Sequence, residues 1–178
     1  MKVYPDHNVM SGIARQDLVE QELDALKKIL EWYQASKLDL RISKIHYKEL
    51  EGYGDQKRRE DIKKLLAGYM NVPFVDDQEL SGFHYQWTRQ GGITYPRHED
   101  DPIAKSLWGV GLDRPDTHHL MLAIRAECDA FLTLDEKTIL NRREAIEEQL
   151  PQIRLLKPTE FISQAILDKA GKVIWRAP

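Results

Sequence analysis

The stretch Asp129-Ala130-Phe131-Leu132-Thr133-Leu134-Asp135 decides the fold class of this chain. Its apolar run is short and bounded by acids, which predicts a buried strand that ends at Asp135. Residues 116–127 carry apolar side chains at helical spacing, and a second helix is predicted over residues 136–149. A buried strand between two helices is typical of a parallel sheet that is covered on both faces.

The same alternation of strands and helices extends outward to both ends of the chain. Short apolar or alternating runs predict strands at residues 2–5, 38–42, 72–75, 153–156 and 172–175. Helical spacing predicts helices that begin near the caps Asp17 and Ser43, over residues 55–70, and from Pro158. We therefore expect one domain over residues 1–178, an α/β protein with a three-layer α/β/α sandwich and a mostly parallel central sheet.

Residues 79–113 interrupt this pattern. Gly91-Gly92, Pro96 and the acidic run Glu99-Asp100-Asp101 indicate irregular chain, although residues 103–108 can form a helical turn. A stretch this long without regular structure inside a compact domain is usually functional or mobile. We therefore expect an irregular insert at about residues 79–113.

The composition is that of a globular protein without a strong electric field. Hydrophobic residues make up 42% and charged residues 31% of the 178, and the formal net charge is −3. Nucleic-acid binding would therefore need a local patch or a metal. Cys128 is the single cysteine, so we expect a reducing, cytoplasmic setting. The sequence has no signal-peptide core at its start and no apolar run near the roughly 20 residues of a membrane span, so no membrane partner is expected.

Four acids are predicted to meet at one edge of the sheet. Asp6 and Asp135 each follow a predicted strand. Glu49 lies on the first helix after the second strand, and Asp116 is the predicted N-cap of a later helix. Ligands bind beyond the carboxyl ends of parallel strands, where carboxylates that gather repel one another unless a divalent cation joins them. Each acid alone has an ordinary explanation, as a helix cap, a loop acid or a solvated residue, and only the set of four points to a metal.

The acids stand in short blocks that resemble the PIN-domain ribonucleases, a family that includes the toxin nucleases of bacterial toxin–antitoxin pairs. Residues 3–9 (VYPDHNV) resemble its strand that ends in Asp-x-Asn. Residues 43–50 (SKIHYKEL) resemble its serine followed six residues later by Glu-Leu. Residues 116–123 and 129–135 resemble its third and fourth blocks, and residues 155–161 resemble its strand–Pro–helix ending.

This resemblance implies a PIN-like fold and an endoribonuclease that cleaves single-stranded RNA through a metal-activated water. The implied catalytic residues, which are also the ligands of Mg²⁺ or Mn²⁺, are Asp6, Glu49, Asp116 and Asp135. Asn8 and Thr133 would support these ligands. The implied partners are an RNA substrate and an antitoxin or inhibitor protein. The resemblance covers the chain except for residues 79–113, and Pro5 and His7 depart from the residues that are usual around the first acid.

Other residues compete for places in the site. Glu51 competes with Glu49 for the second ligand position, and the spacing from Ser43 favours Glu49. Asp113 competes in the same way with Asp116 and is the weaker candidate. Of His118 and His119 at most one can face the site, since neighbours on a helix diverge by about 100°, and we expect a solvated face for the other. Residues 98–101 (HEDD) either add a ligand or form an exposed charged loop.

Some residues also suggest contacts with RNA or with a second copy of the chain. One predicted helix carries a cluster of basic residues that either contact RNA phosphates or form a solvated face: Lys57, Arg58, Arg59, Lys63 and Lys64. The aromatic residues of the insert either stack on RNA bases or pack the insert against the domain: Trp87, Tyr95 and Trp108. Cys128 is expected in the core. A homodimer is expected because one core cannot easily hide the apolar residues Leu23, Leu26 and Leu30.

Two rival functions stay open. A PIN-like module without activity would keep the fold and bind RNA or protein. A phosphatase with Asp6 as nucleophile would resemble the haloacid-dehalogenase enzymes. That pattern requires Asp-x-Asp-x-Thr, whereas Asn8 and Met10 fill the later positions here.

Overall fold

The computed structural model describes residues 1–15, 17–43, 45–46, 49, 54–57, 59–61, 63, 74–75, 86–90, 93–97 and 101–176. Its strands are β1 (Lys2–Pro5), β2 (Asp39–Leu40), β3 (Ile42–Ser43), β4 (Phe74–Val75), β5 (Gln86–Gln90), β6 (Ile93–Arg97), β7 (Ala130–Leu132), β8 (Arg154–Leu156), β9 (Ala165–Leu167) and β10 (Val173–Trp175). Its α-helices are α1 (His7–Arg15), α2 (Glu20–Gln34), α3 (Pro102–Gly109), α4 (Arg114–Arg125), α5 (Arg143–Gln149) and α6 (Pro158–Gln164).

Four parallel strands form the central sheet, in the order β2-β1-β7-β8. Val3 in β1 lies opposite Leu40 on one side and Ala130 on the other. In β7, Phe131 lies opposite Leu155 of β8. Helices cover the two faces of this sheet, which confirms the predicted α/β class and its three-layer α/β/α arrangement.

The two faces of the sheet carry separate parts of the core. Val3 and Tyr4 are adjacent in β1, so their side chains lie on opposite faces. The face of Val3 packs on α1, α2 and α6 through side chains such as Val9, Leu26 and Phe161. The face of Tyr4 packs on α3, α4 and α5 through side chains such as Leu107, Leu120 and Ile146.

Several predicted elements are present, some with different partners. The strands predicted at 2–5, 129–134, 153–156 and 172–175 are confirmed as β1, β7, β8 and β10. The run 38–42 is extended but divided, because β2 pairs with β1 whereas β3 pairs in parallel with β4. The last two strands form an antiparallel pair beside α6. None of the helices in the described part of the chain has the length and apolar character needed to cross a membrane.

Two helix starts differ from the prediction. Helix α2 begins at Glu20 with Val19 at the N-cap, so Asp17 does not cap it. Helix α4 is capped by Asp113, whose carboxylate accepts from the N–H of Asp116, so the prediction that Asp116 is the cap was wrong. Proline at position 115 is compatible with either start, since a missing N–H costs nothing in the first helical turn.

Residues 79–113, which were predicted as an irregular insert with a helical turn at 103–108, contain regular elements where the structure describes them. Strands β5 and β6 form an antiparallel pair, and two residues, Gly91-Gly92, separate them in the sequence. Two glycines between alternating runs are a hairpin signal. Helix α3 follows, with Asp101 as a capping residue and Pro102 in its first turn.

Candidate functional site

Asp6 lies where β1 ends, at the carboxyl edge of the central sheet. Its N–H donates to the carbonyl of Leu132, the last residue of β7, at 2.8 Å. Its own carbonyl accepts from the N–H of Val9 at 3.2 Å, and its Oδ1 accepts from the N–H of His7 at 2.7 Å, so the same residue begins α1. The side chain is 4% exposed. A strand end and a helix start together place this carboxylate at the edge.

Asn8 and Thr133 both hydrogen-bond the carboxylate of Asp6. The amide of Asn8 donates to Oδ2 of Asp6 at 2.6 Å and to the hydroxyl oxygen of Thr133 at 2.9 Å. The hydroxyl of Thr133 donates to the same Oδ2 at 2.9 Å. The N–H of Leu134 donates to Oδ1 of Asn8 at 2.9 Å. These contacts fix the start of α1 against the loop after β7, and their role as supports for metal ligands stays a prediction.

The electrostatics of Asp6 connect it to two distant residues. Burial raises its pKa from 3.8 to about 6. The positive charge of His119 acts in the opposite direction, and the negative charge of Glu49 raises the pKa further. Asp6 and Glu49, the first two predicted ligands, therefore lie within electrostatic range of each other.

Glu49 is paired with two histidines. One of its oxygens, Oε2, lies 3.2 Å from Nε2 of His119 and 3.3 Å from Nδ1 of His7. Burial raises the pKa of Glu49, but the charge and hydrogen bond of His119 and the charge of His7 together lower the pKa to about 2. Burial lowers the pKa of His119, but the charge and hydrogen bond of Glu49, together with the charges of Asp6 and Asp116, raise it to about 9. Glu49 is therefore part of a buried ion pair and not a solvated helix residue.

Asp116 is the third residue of α4, and its carboxylate lies among other acids. Its N–H donates to Oδ1 of Asp113 at 3.0 Å, so Asp113 takes the capping role. Burial, and next the charges of Asp6 and Asp113, raise the pKa of Asp116 from 3.8 to about 7. The charge of Asp135 raises it further. Asp113 thus caps the helix, and Asp116 interacts with the other predicted ligands.

Asp135 holds the loop that follows β7. Its Oδ1 accepts from the N–H groups of Lys137 and Thr138 at 2.9 and 2.8 Å, and its Oδ2 accepts from the hydroxyl of Thr138 at 2.6 Å. Thr138 also hydrogen-bonds the side chain of Asp116, so it joins two predicted ligands. The helix predicted over residues 136–149 is present as α5 but begins later, at Arg143, because the chain turns around Asp135 and then forms a 3₁₀ turn (Leu140–Arg142).

The four predicted acids are linked pair by pair through their charges. Asp6 interacts with Glu49 and with Asp116, and Asp116 interacts with Asp135. Among the described residues, however, no three His, Cys, Asp or Glu side chains are placed to hold a metal ion. Glu49 contacts histidines, and Asp135 binds its own loop. The donor set nevertheless fits Mg²⁺ or Mn²⁺, since these ions prefer carboxylate oxygens and would offset the repulsion between Asp6 and Asp116.

A set of buried polar side chains that was not predicted from the sequence connects to Glu49 through His119. The hydroxyl of Tyr4 lies 2.8 Å from Nδ1 of His119 and 2.7 Å from Oγ of Ser43. Nε2 of His46 lies 2.9 Å from the carbonyl oxygen of Pro5. A signal was present in the composition, because four of the six histidines fall inside the blocks that carry the acids, at positions 7, 46, 118 and 119.

The expectation that one of the adjacent histidines is solvated was wrong. His118 and His119 are each 1% exposed. All side chains at positions 117–124 of α4 are buried, because this helix packs against α3 as well as against the sheet. A helix that is covered all round has no solvated face.

The remaining candidates have structural roles where the structure describes them. Asp101 is fully buried, caps α3 and pairs with Arg125, so it is not part of an exposed charged loop. Trp108 packs against the core, and Cys128 is buried in it as expected. Lys63 is exposed and pairs with Glu60. The described part of the chain excludes Glu51, Arg58, Lys64, residues 98–100 and the side chains of Trp87 and Tyr95.

Comparisons of the chain with protein-family models, with curated proteins and with solved structures found no match. The geometry of the site and the resemblance of its sequence blocks are therefore the two grounds for a function.

Proposed function

We propose that this chain is a metal-dependent endoribonuclease of the PIN type that cleaves single-stranded RNA in the cytoplasm. One observation carries the proposal. Burial raises the pKa of Asp6 and of Asp116, and the charge of Asp6 raises that of Asp116 further, at the carboxyl edge of the sheet. Like charges that are crowded and buried destabilise a fold, and a divalent cation removes that penalty. The crowding is therefore better explained by a cation site than by structural need.

The residues that would hold Mg²⁺ or Mn²⁺ are Asp6, Glu49, Asp116 and Asp135. A bound ion would supply an activated water and stabilise the leaving oxygen of the phosphodiester. Asn8 and Thr133 orient the carboxylate of Asp6. Thr138 orients that of Asp135, and His119 keeps Glu49 ionised when no cation is bound. Neighbouring side chains thus fix the orientation of Asp6 and Asp135 and the ionisation of Glu49 before a cation binds.

The choice of substrate and partners follows from the resemblance and from charge. A net charge of −3 gives no long-range attraction for RNA, so binding would depend on the cation and on local cations such as Lys137, which is exposed beside Asp135. An antitoxin or inhibitor protein and a homodimer are further proposals. Leu26 is buried and Leu30 packs against the same core, so these two side chains do not require a second copy of the chain to cover them.

A cleavage assay with matched variants tests the proposal. The wild type should cut single-stranded RNA in Mg²⁺ or Mn²⁺, and EDTA should stop the reaction. Asp116→Asn should be inactive, whereas Asp113→Asn should stay active because asparagine caps a helix as well as aspartate does. Equal cleavage by the wild type and Asp116→Asn would indicate a contaminating nuclease and would contradict the proposal.

A module that binds RNA without cutting it is the second candidate. The observation that favours it is the absence, among the described residues, of three side chains already placed to hold a metal. Such a module should bind single-stranded RNA equally well in EDTA and in Mn²⁺. Binding of this kind, together with no cleavage across a diverse RNA pool, would support the module in place of the nuclease.

A further inference from the structure

A chain of buried polar side chains leads from Glu49 into the protein. Its members, in order, are Glu49, His119, Tyr4, Ser43 and His46, and the successive contacts measure 3.2, 2.8, 2.7 and 3.4 Å. The four residues behind Glu49 are at most 1% exposed. Interior positions are usually apolar, and buried polar groups in a line reduce stability unless each one finds a partner.

Hydrogen bonds fix the inner end of this chain. Nε2 of His46 donates to the carbonyl of Pro5, because a carbonyl oxygen can only accept. Burial lowers the pKa of His46 to about 3, so the ring is neutral and its Nδ1 accepts from the N–H of Ser43 at 3.3 Å. The hydroxyl of Ser43 lies beside the same Nδ1 and hydrogen-bonds the hydroxyl of Tyr4. The hydroxyl of Tyr4 also hydrogen-bonds Nδ1 of His119.

Both nitrogens of His119 are therefore in contact with fixed groups. Nδ1 contacts the hydroxyl of Tyr4, and Nε2 contacts the carboxylate of Glu49. Tyr4 in turn stacks on Phe131 of the neighbouring strand, with ring centroids 5.6 Å apart and planes 9° apart. The place of the Glu49 carboxylate is thus tied to the central sheet through two residues that do not reach the surface.

We propose that Tyr4 and His119 are positioning residues: through His119, the phenol of Tyr4 holds the Glu49 carboxylate where it can bind a divalent cation. This inference rests on the proposed function, because it requires Glu49 to be a ligand. Tyr4 itself is fully buried between the sheet and α4 and cannot touch RNA. Removal of its hydroxyl should therefore change cation binding and turnover without changing the contact with substrate.

The test compares Tyr4→Phe with Tyr33→Phe. Both substitutions remove a phenolic hydroxyl and keep the ring, but Tyr33 lies on α2 against the other face of the sheet. Titration calorimetry measures Mn²⁺ affinity without RNA, and cleavage kinetics measure kcat and KM. Tyr4→Phe should weaken Mn²⁺ binding by about 10–100-fold, the range typical when an outer hydrogen-bond partner of a metal ligand is lost. Its kcat should fall while its KM for RNA stays that of the wild type, and Tyr33→Phe should match the wild type.

A second pair of variants serves if Tyr4→Phe does not fold, as judged by circular dichroism. His119→Gln keeps a nitrogen donor that can reach Glu49, and His119→Leu does not. Higher Mn²⁺ affinity in the Gln variant than in the Leu variant supports the inference. Equal affinity in this pair, or in Tyr4→Phe and the wild type, overturns the inference and leaves the proposed function standing. A folded wild type that binds no Mn²⁺ contradicts the proposed function, and the inference with it.

Discussion

Thr133 donates its hydroxyl hydrogen to Oδ2 of Asp6 over 2.9 Å. The two residues follow β7 and β1, neighbouring strands of the parallel sheet, although they are 127 positions apart in the sequence. The amide of Asn8 contacts both of them. Neutral donors therefore fix the carboxylate of Asp6 independently of any cation. A site that is oriented in this way should lose affinity when a donor is removed, even though all its acids remain.

Thr133→Val keeps the shape of the side chain and removes its hydroxyl. Oδ2 of Asp6 then loses one donor, while the amide of Asn8 and the N–H of Asp135 lose an acceptor. The free energy of unfolding should fall by about 1–3 kcal/mol because buried polar groups lose partners. Mn²⁺ affinity should fall as well. Urea unfolding and calorimetric titration measure the two effects.

Thr117→Val is the matched control for that substitution. Thr117 is 1% exposed, yet its hydroxyl has no hydrogen-bond partner within the part of the chain that the structure describes. Its replacement by valine should leave the free energy of unfolding unchanged or raise it. Equal losses of stability in the two variants would show that the hydroxyl of Thr133 has no special role.

The metal-free protein should become less stable as the pH rises from about 6.5 to about 8.5. Burial, and next the charge of Asp6, raise the pKa of Asp116 from 3.8 to about 7, so up to about pH 7 the folded protein holds a proton that the unfolded chain has already released. Burial lowers the pKa of His119, but the charge and hydrogen bond of Glu49 act against burial, and the pKa rises to about 9. Between about pH 6.5 and pH 9 the folded protein therefore again holds a proton that the unfolded chain has released. Stability that is present below each unfolded-state pKa is lost as the pH passes the folded-state pKa.

Urea unfolding in EDTA across this pH range measures the slope. Asp116→Asn removes the contribution of one of the two protons, so its stability should depend less on pH than that of the wild type. A wild type whose stability rises with pH in this range would show that the sign of the argument is wrong.

Cys128 can report on how often the core opens. It is 2% exposed, and burial raises the pKa of its thiol to about 12, so at neutral pH the thiol is both covered and protonated. A thiol reagent should react only through opening of the fold, and Mn²⁺ should slow the reaction because it stabilises the folded state. The rate of modification with and without Mn²⁺ checks this. A rate like that of a free thiol would contradict the burial of Cys128.

The fold class could be predicted because buried strands and helices have local patterns. The apolar runs 2–5, 129–134 and 153–156 became three strands of the central sheet. The division of 38–43 between two sheets could not be predicted, since an extended segment looks the same whichever strand it pairs with. The cap of α4 was misplaced because Asp113 and Asp116 both precede an apolar helical run, and only the hydrogen bond between them distinguishes their roles.

The candidate site divides in the same way. Asp6 and Asp135 could be grouped from the sequence because the carboxyl ends of neighbouring parallel strands share one edge, whereas Asn8 and Thr133 were implied only by the resemblance. The contact between Tyr4 and His119 joins residues 115 positions apart, and no local pattern indicates it. Tyr4 reads as an ordinary apolar strand residue, and its hydroxyl acquires a role only once α4 packs against β1.

Replacing Asp116 by asparagine removes a charge with less disturbance of existing hydrogen bonds than the same substitution at Asp6. Asp6→Asn would place an amide group against the donors of Asn8 and Thr133, and this clash alone would reduce stability. The side chain of Asp116 hydrogen-bonds Thr138, and the amide of asparagine can donate to the oxygen of that hydroxyl, whose hydrogen is donated to Asp135. Asp113→Asn neutralises a charge three residues earlier in the same helix start and keeps the cap, so it is the matched control.

The most direct test of the cation site is the free energy of unfolding of the wild type, Asp116→Asn and Asp113→Asn in EDTA and in excess Mn²⁺. In EDTA at neutral pH, Asp116→Asn should be as stable as the wild type or more stable, because the substitution relieves repulsion. With free Mn²⁺ at about 100 times its Kd, the wild type and Asp113→Asn should each gain about 2.7 kcal/mol, and Asp116→Asn should gain much less. Equal gains in all three proteins, or no gain in any, would contradict the assignment of Asp116 to a cation site.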